Sequence, residues 1–580
     1  MNPGDLSMKK KILWLCVAAL VCAPLLGEQA QHSNASFDQL VDHFFDVFYQ
    51  YNPTAATEAG FHQYDDKLED FSRKNVESEI ADLGKLQTEF DGFARADLAE
   101  QAAGDFAVLD STIKAELLDL QNIQTWKRNP DLYLESASDS IFLIMKRNFA
   151  PQEDRLRSVI AREKQIPQVY AEAKANLSNP PRVFTEVALE DLPDTIDFFR
   201  HDVPDAFSTV QDAKLLAEFK TSNRAVIDAL TGYQNYLKKT LLPVSHGEFR
   251  IGAENYRKKL LYEEMVDIPL DRLLEIGYAD LRRNQQRLKE VAAQIDPKHT
   301  PQEVLASLEK DHPAPDQLLR SFRDLLAGLR QYIEQTQIIT IPSQVMPIVE
   351  ETPAFMRALT TASMDTPGAY ETKATEAMFN VTLPEPNWPR EKTQKWMEGF
   401  NRGTLTSTAI HEVFPGHYVQ FLWVKQAPTK TRKLLDSASN AEGWAHYCEQ
   451  MMLDEGYGNG SSQLRIGQLQ DALLRDARFI VGIQMHTGNM TIDQAKSFFI
   501  KEGYQLPPMA EVEAKRGTSD PTYLVYTLGK LQIMKLREDY RKLKGDKFSL
   551  LEFHDRFMQQ GAVPLKIIRK AMLGDDSPTL

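Results

Sequence analysis

Residues 270–295 place apolar side chains in a stripe that only an α-helix can bury on one face. Leu274, Leu281, Leu288 and Ile295 recur every seven residues, with Leu270 and Gly277 on the same stripe. Pro269 stands at the start and Pro297 just past the end, where proline opens or closes a helix without interrupting it. The segment predicts a helix of about seven turns that needs other helices to cover it. Residues 316–333 repeat the pattern through Leu318, Leu319, Phe322, Leu325, Leu326, Leu329 and Ile333. Farther on, Thr491-Ile-Asp-Gln494 and Ser549-Leu-Leu-Glu552 read as capping boxes, and Asp520-Pro521 as an N-cap followed by proline at the first helical position.

Strand signals are few. β-Branched residues gather at 338–341 and 345–349, interrupted by Pro342 and Pro347, and residues 378–383 alternate before Pro384. Proline is tolerated only on edge strands and at strand ends. These segments therefore predict one small sheet with an exposed edge, just before the segment that carries the chemistry. The expected fold is mainly α, a large helical body with that sheet next to the active-site helix. No internal repeat is visible. A helical N-terminal half over 31–250 and a site-bearing C-terminal half over 251–580 are expected; with no linker between them, one continuous domain is the alternative.

Composition excludes several function classes. Of 580 residues, 42% are apolar and 26% charged, the balance of a soluble globular chain. The formal net charge is -15 and no basic stripe is present, so nucleic acid is not an expected partner. There are three cysteines, Cys16, Cys22 and Cys448, too few for a disulfide framework or a cysteine zinc site. Cys448 reads as a small buried hydrophobe. Lys9, Lys10 and Lys11 precede an uncharged run of 15 residues, Ile12–Leu26. That run fits a signal peptide and is short for a membrane span. Leu25 is a poor residue three before a cut after Gly27, and Val21 is a poor lipobox residue before Cys22. Export to a periplasm or beyond is expected, with membrane contact only if segment 1–30 stays as an anchor. A Gly-x-Ser-x-Gly elbow, a P-loop and a dinucleotide fingerprint are all missing from the sequence.

The chemistry sits in 408–423, around His411, Glu412 and His417. The familiar zinc-hydrolase spacing, His-Glu-x-x-His, puts two imidazoles on one helical face with Glu as base. Here the second histidine comes two residues late. On a regular helix it would be about 120° away in projection and about 9 Å along the axis, so the two could not share a metal. Pro415 and Gly416 lie between them and supply a distortion, since proline removes a helical hydrogen bond and glycine accepts unusual dihedrals. The expectation is a bulge or kink inside the helix, not a surface turn that ends it. Both imidazoles would then face one point. Glu442 follows 31 residues after His411 and is the favoured third ligand, with His446 and Glu449 as rivals. Three protein ligands leave one zinc position for water.

The segment Asn440-Ala-Glu-Gly-Trp-Ala445 resembles the third-ligand helix of aminopeptidase N-type gluzincins. More broadly, His411–His417 (HExxPGH), Glu442–Tyr447 (EGWAxY) and Tyr526–Lys530 (YxxGK) resemble the bacterial domain-of-unknown-function family 885, from about residue 35 to the C-terminus. The resemblance implies a gluzincin-like, largely helical zinc metallopeptidase with one Zn2+ per chain on His411, His417 and Glu442. Glu412 would be the general base. Tyr526 would donate to the oxyanion by similarity to a gluzincin tyrosine on a later helix, with Tyr523 as its rival. Arg478 and His486 are candidates for binding a substrate oxyanion or carboxylate. Their alternatives are an ion-paired arginine and a helix-terminal histidine. Where the family pattern leads one to expect Asp after Arg478, this chain has Gly482. The substrate would be a peptide or small amide. Competing readings are an amidase or esterase using the same zinc–water chemistry, and a non-catalytic metal-binding scaffold.

Overall fold

The computed structural model describes residues 36–580 apart from 354–355 and 358–360. Segment 1–30, with Cys16 and Cys22, lies outside the described residues. Among these, no helix is long and apolar enough to cross a membrane.

Helices follow one another through most of the chain. One hydrophobic cluster draws on residues between Leu68 and Leu241 together with Ala374, and another on residues between Leu318 and Met572 together with Val108. An aromatic cluster around Phe37, Phe44, Phe45, Phe90 and Phe106 holds the first helices. The helices that matter for the site are α1 (Leu270–Ile295), α2 (Leu318–Thr336), α3 (Arg402–Glu412), α4 (His417–Val424), α5 (Ala438–Asp454), α6 (Ser462–Thr487), α7 (Pro507–Ser519) and α8 (Val525–Lys544).

Helix α1 spans the leucine stripe and buries Leu273, Leu281 and Leu288. At Gly277 a β-carbon would lie 2.6 Å from the Phe479 ring of α6, so the stripe's one small residue lets the two helices touch. Helix α2 buries Phe322, Leu326, Leu329 and Ile333. Helices α5 and α8 cross still more closely. A β-carbon on Gly529 would stand 1.8 Å from the Ser439 carbonyl oxygen, and one on Gly443 2.4 Å from the Gly529 Cα. The backbones are in contact there, which sets the YxxGK segment against the EGWAxY segment.

The sheet has three short strands, β1 (Ile348–Glu351), β2 (Ala362–Asp365) and β3 (Met378–Val381). Their order is β1-β3-β2, with β1 parallel and β2 antiparallel to β3. Strand β3 is central and fully buried, and β2 packs against α3. Residues 338–341 form no strand. Gln337 adopts a left-handed conformation that ends α2, and Ile338 and Ile339 are buried in the core cluster instead. Strand β2 was not foreseen, since Ala-Ser-Met-Asp alternates over only four residues and carries no β-branched side chain.

Two capping expectations need correction. Thr491 makes both arms of its box with Gln494, but Ser549 makes only one. The Glu552 carboxylate is taken by the Tyr540 hydroxyl and Lys544. Asp520 does not start a helix. It ends α7, accepts from Arg516, and a turn separates it from α8.

Candidate metal centre

Helix α3 begins at Asn401, whose side chain accepts the amides of Gly403 and Thr404, and runs to Glu412. The helix then stops. Val413 through Gly416 form a buried break that includes a cis Phe414–Pro415 bond, and α4 starts at His417. The expected bulge inside one continuous helix is therefore a break between two helices, though a buried one and not a surface turn. Its geometry explains the glycine. The Gly416 amide donates to the Ile410 carbonyl at 3.0 Å, and a β-carbon there would lie 1.7 Å from the His411 carbonyl oxygen. The chain folds back onto the end of α3, and His417 returns to the side of His411. Trp444 of α5 holds the break by donating from Nε1 to the Pro415 carbonyl at 2.9 Å.

The two imidazole rings are 4.8 Å apart between centroids and nearly perpendicular. Glu442 Oε2 arrives from α5 at 3.3 Å from His411 Nε2 and 3.4 Å from His417 Nε2. One donor atom from each of the three residues lies within 4.8 Å of the others. Glu442 Oε2 has no aligned hydrogen bond despite its burial. Two imidazole nitrogens and a carboxylate oxygen converging without hydrogen bonds fit a metal such as zinc.

Behind the donors lies a charged support. Glu449, two turns along the same face of α5 from Glu442, accepts from His411 Nδ1 at 2.7 Å and from His446 Nδ1 at 2.9 Å. Arg475 of α6 pairs with the same carboxylate at 3.0 Å. The rivals His446 and Glu449 thus sit outside the donor set, and Glu449 orients His411 so that Nε2 faces inward. Burial works against charge on Glu449, but Arg475, His446 and His411 hold its carboxyl far below the usual range. Burial also opposes a proton on His411, yet Glu442 and Glu449 raise its pKa to about 9. Burial raises Glu442 as well, and the two imidazoles outweigh it and hold its carboxyl well below the ordinary value.

Glu412 ends α3 beside these groups, and burial raises its pKa, the direction a general base at neutral pH needs. Tyr526 of α8 faces His411 with ring centroids 6.4 Å apart. Its phenol is pushed up to about 12 by burial and by Glu442, so it stays a proton donor. Tyr523 is elsewhere, packed among Val481, Met485 and Ala514. Gly482 makes room for it, since a β-carbon there would lie 2.9 Å from the Tyr523 ring. This chain fills with Tyr523 the space where Asp was expected. Arg478 is held by Glu513 through two contacts of 2.7 Å and lies under the Tyr526 ring. His486 Nε2 donates to the Gly517 carbonyl at 2.7 Å, and the ring packs on Phe249 and Tyr256. It stands 11 residues beyond Arg475 on α6, about 16 Å along the axis, and is not brought to the site. Burial lowers its pKa to about 4. Cys448 is buried beside the centre, and burial keeps its thiol protonated.

The sequence alone did not single out Arg475 or Arg516. Arg475 precedes Arg478 by one helical turn, a face signal too common to use. Arg516 reaches the Tyr526 hydroxyl at 3.4 Å from α7.

Comparison with known proteins matches residues 53–572 to the family model described as bacterial protein of unknown function (DUF885). A solved structure of a candidate lipoprotein of unknown function from Shewanella oneidensis is 27% identical, with TM-score 0.77, covering 93% of this chain and 99% of that one. A second, of a candidate lipoprotein from Colwellia psychrerythraea, has TM-score 0.78 at 19% identity, covering 92% and 98%, and shares the fold. No curated protein matches.

Proposed function

This chain belongs to the bacterial DUF885 family, and from that premise we propose that it is an exported zinc-dependent hydrolase, a metallopeptidase of gluzincin type. The observation that carries the reading is the convergence of His411, His417 and Glu442 on one point, with Glu412 next in sequence to the first donor. A zinc ion on these three side chains would supply Lewis-acid polarisation and an acidified water. Glu412 takes a proton from the attacking water and returns it to the leaving amine. The water's hydroxyl joins the acyl carbon as the C–N bond breaks. The Tyr526 O–H donates to the oxygen that gains negative charge. Arg475 and Glu449 keep His411 in place throughout.

Export rests on the sequence of residues 8–30 and on the two solved relatives, both described as candidate lipoproteins. The reading is tested by Glu412→Gln. This variant is expected to keep its metal and its melting temperature and to lose peptide turnover by about a thousandfold or more. Turnover near the wild-type rate removes Glu412 from the role of base. Turnover of small amides or esters, with peptides left intact, moves the substrate class to the alternative reading.

A further inference from the structure

The cationic side chains near the centre are not equivalent. Lys530 is buried and paired with Asp280 at 3.0 Å. Arg475 is 11% exposed and committed to Glu449. Arg478 is committed to Glu513 at two nitrogens. Arg516 differs from all three. Its side chain is 35% exposed, and its carboxylate partner Asp520, one turn on in sequence, is itself 38% exposed. Both contacts use a single oxygen, Oδ2, at 3.2 Å from Nε and 3.0 Å from Nη2. An exposed pair of this kind is weakly held and readily exchanged. Arg516 Nη2 also lies 3.4 Å from the Tyr526 hydroxyl, and the Tyr526 ring is 6.4 Å from His411. One tyrosine therefore separates this guanidinium from the metal donors, a gap of roughly one to three residues of extended chain at about 3.3–3.6 Å each.

Resting on the metallopeptidase reading, we propose that Arg516 is a specificity-determining residue that binds the α-carboxylate of a peptide's C-terminus beside the Tyr526 hydroxyl. The planar guanidinium fork matches a carboxylate, and a charged acceptor strengthens each hydrogen bond. The substrate class is then peptides with a free C-terminus, cut a short way from that end. Hydrolysis uses one water per bond, its hydroxyl going to the acyl carbon and its proton to the released amine. The anchored fragment leaves with its carboxylate unchanged.

The test uses the full zinc-loaded enzyme and a mixed set of tetrapeptides, each made as the free acid and as the C-terminal amide. Wild type should cleave the acids with kcat/KM at least tenfold above the amides. Arg516→Gln should abolish the acid-over-amide ratio, with the acids losing mainly through KM. Arg516→Lys should retain part of the preference. Calorimetric binding of the same peptides to Glu412→Gln should give the same order without turnover. Equal handling of acids and amides by wild type, or a preference that survives Arg516→Gln, overturns the assignment and leaves the peptidase reading standing. If neither form is bound or cleaved, both fall. Should Arg516→Gln fail to fold, the acid–amide comparison on wild type still decides.

Discussion

Two enclosed glutamates, Glu449 and Glu163, respond to burial in opposite ways. Glu449 is ringed by Arg475, His446 and His411 and stays ionised. Glu163 has only neutral partners, the Ser222 hydroxyl and the Asn223 amide, so burial pushes its pKa up to about 8. The folded chain therefore keeps a proton that the unfolded chain releases near the ordinary carboxyl value. Its contribution to stability is complete below that value and is lost as pH rises towards about 8. Thermal melting of Glu163→Gln and wild type from pH 4 to 9 checks this. Wild type should lose stability relative to the variant as pH rises. A constant difference contradicts the assignment. At this scale the sequence was most legible where a side chain's chemistry is scarce. Histidines number 12 in 580 residues, so two of them flanking Glu412 and a Pro-Gly pair stood out. Arginines are common, so Arg478 could not be sorted from Arg475 and Arg516, Tyr526 was preferred to Tyr523 only through the family resemblance, and His486, though scarce in type, had no spacing to set it aside. That sorting depends on contacts between α6, α7 and α8.

The break between α3 and α4 decides whether the donors meet. A six-residue spacing cannot work on one straight helix, and that much was legible. The way the chain solves it was not, because Pro-Gly is compatible with a kink, a bulge or a stop. Gly416 is sterically required, as its missing β-carbon would overlap the His411 and Ile410 carbonyl oxygens at 1.7 and 2.4 Å. Gly416→Ala should lower stability by about 1–3 kcal/mol or more, as overpacking does, and weaken metal binding with it. Gly84→Ala is the matched control, since nothing lies within 4 Å of its β-carbon position and helix interiors favour alanine. That control should be neutral or stabilising. A melting temperature for Gly416→Ala equal to wild type contradicts the packing described. Helix α1 was readable to its ends because an amphipathic stripe states its own period. Strand β2 was not, because its pairing comes from β3 and its burial from α3.

Across the whole molecule, the helical architecture followed from patterning alone, whereas the centre joins residues from α3, α4, α5 and α6 that lie 64 positions apart between His411 and Arg475. Only the fold brings these together, and a metal held by the proposed donors would in turn tie the fold. A ligand that binds only the folded chain stabilises it in proportion to its concentration over its Kd, so removal of metal by a chelator should lower the melting temperature and zinc should restore it. The most direct measurement is the metal content of the purified full chain by elemental analysis after zinc-replete preparation. About one zinc per chain is predicted, retained in Glu412→Gln and largely lost in His411→Ala and Glu442→Gln. A wild-type chain that carries no metal, or one whose zinc survives loss of both His411 and Glu442, contradicts the assignment of this centre.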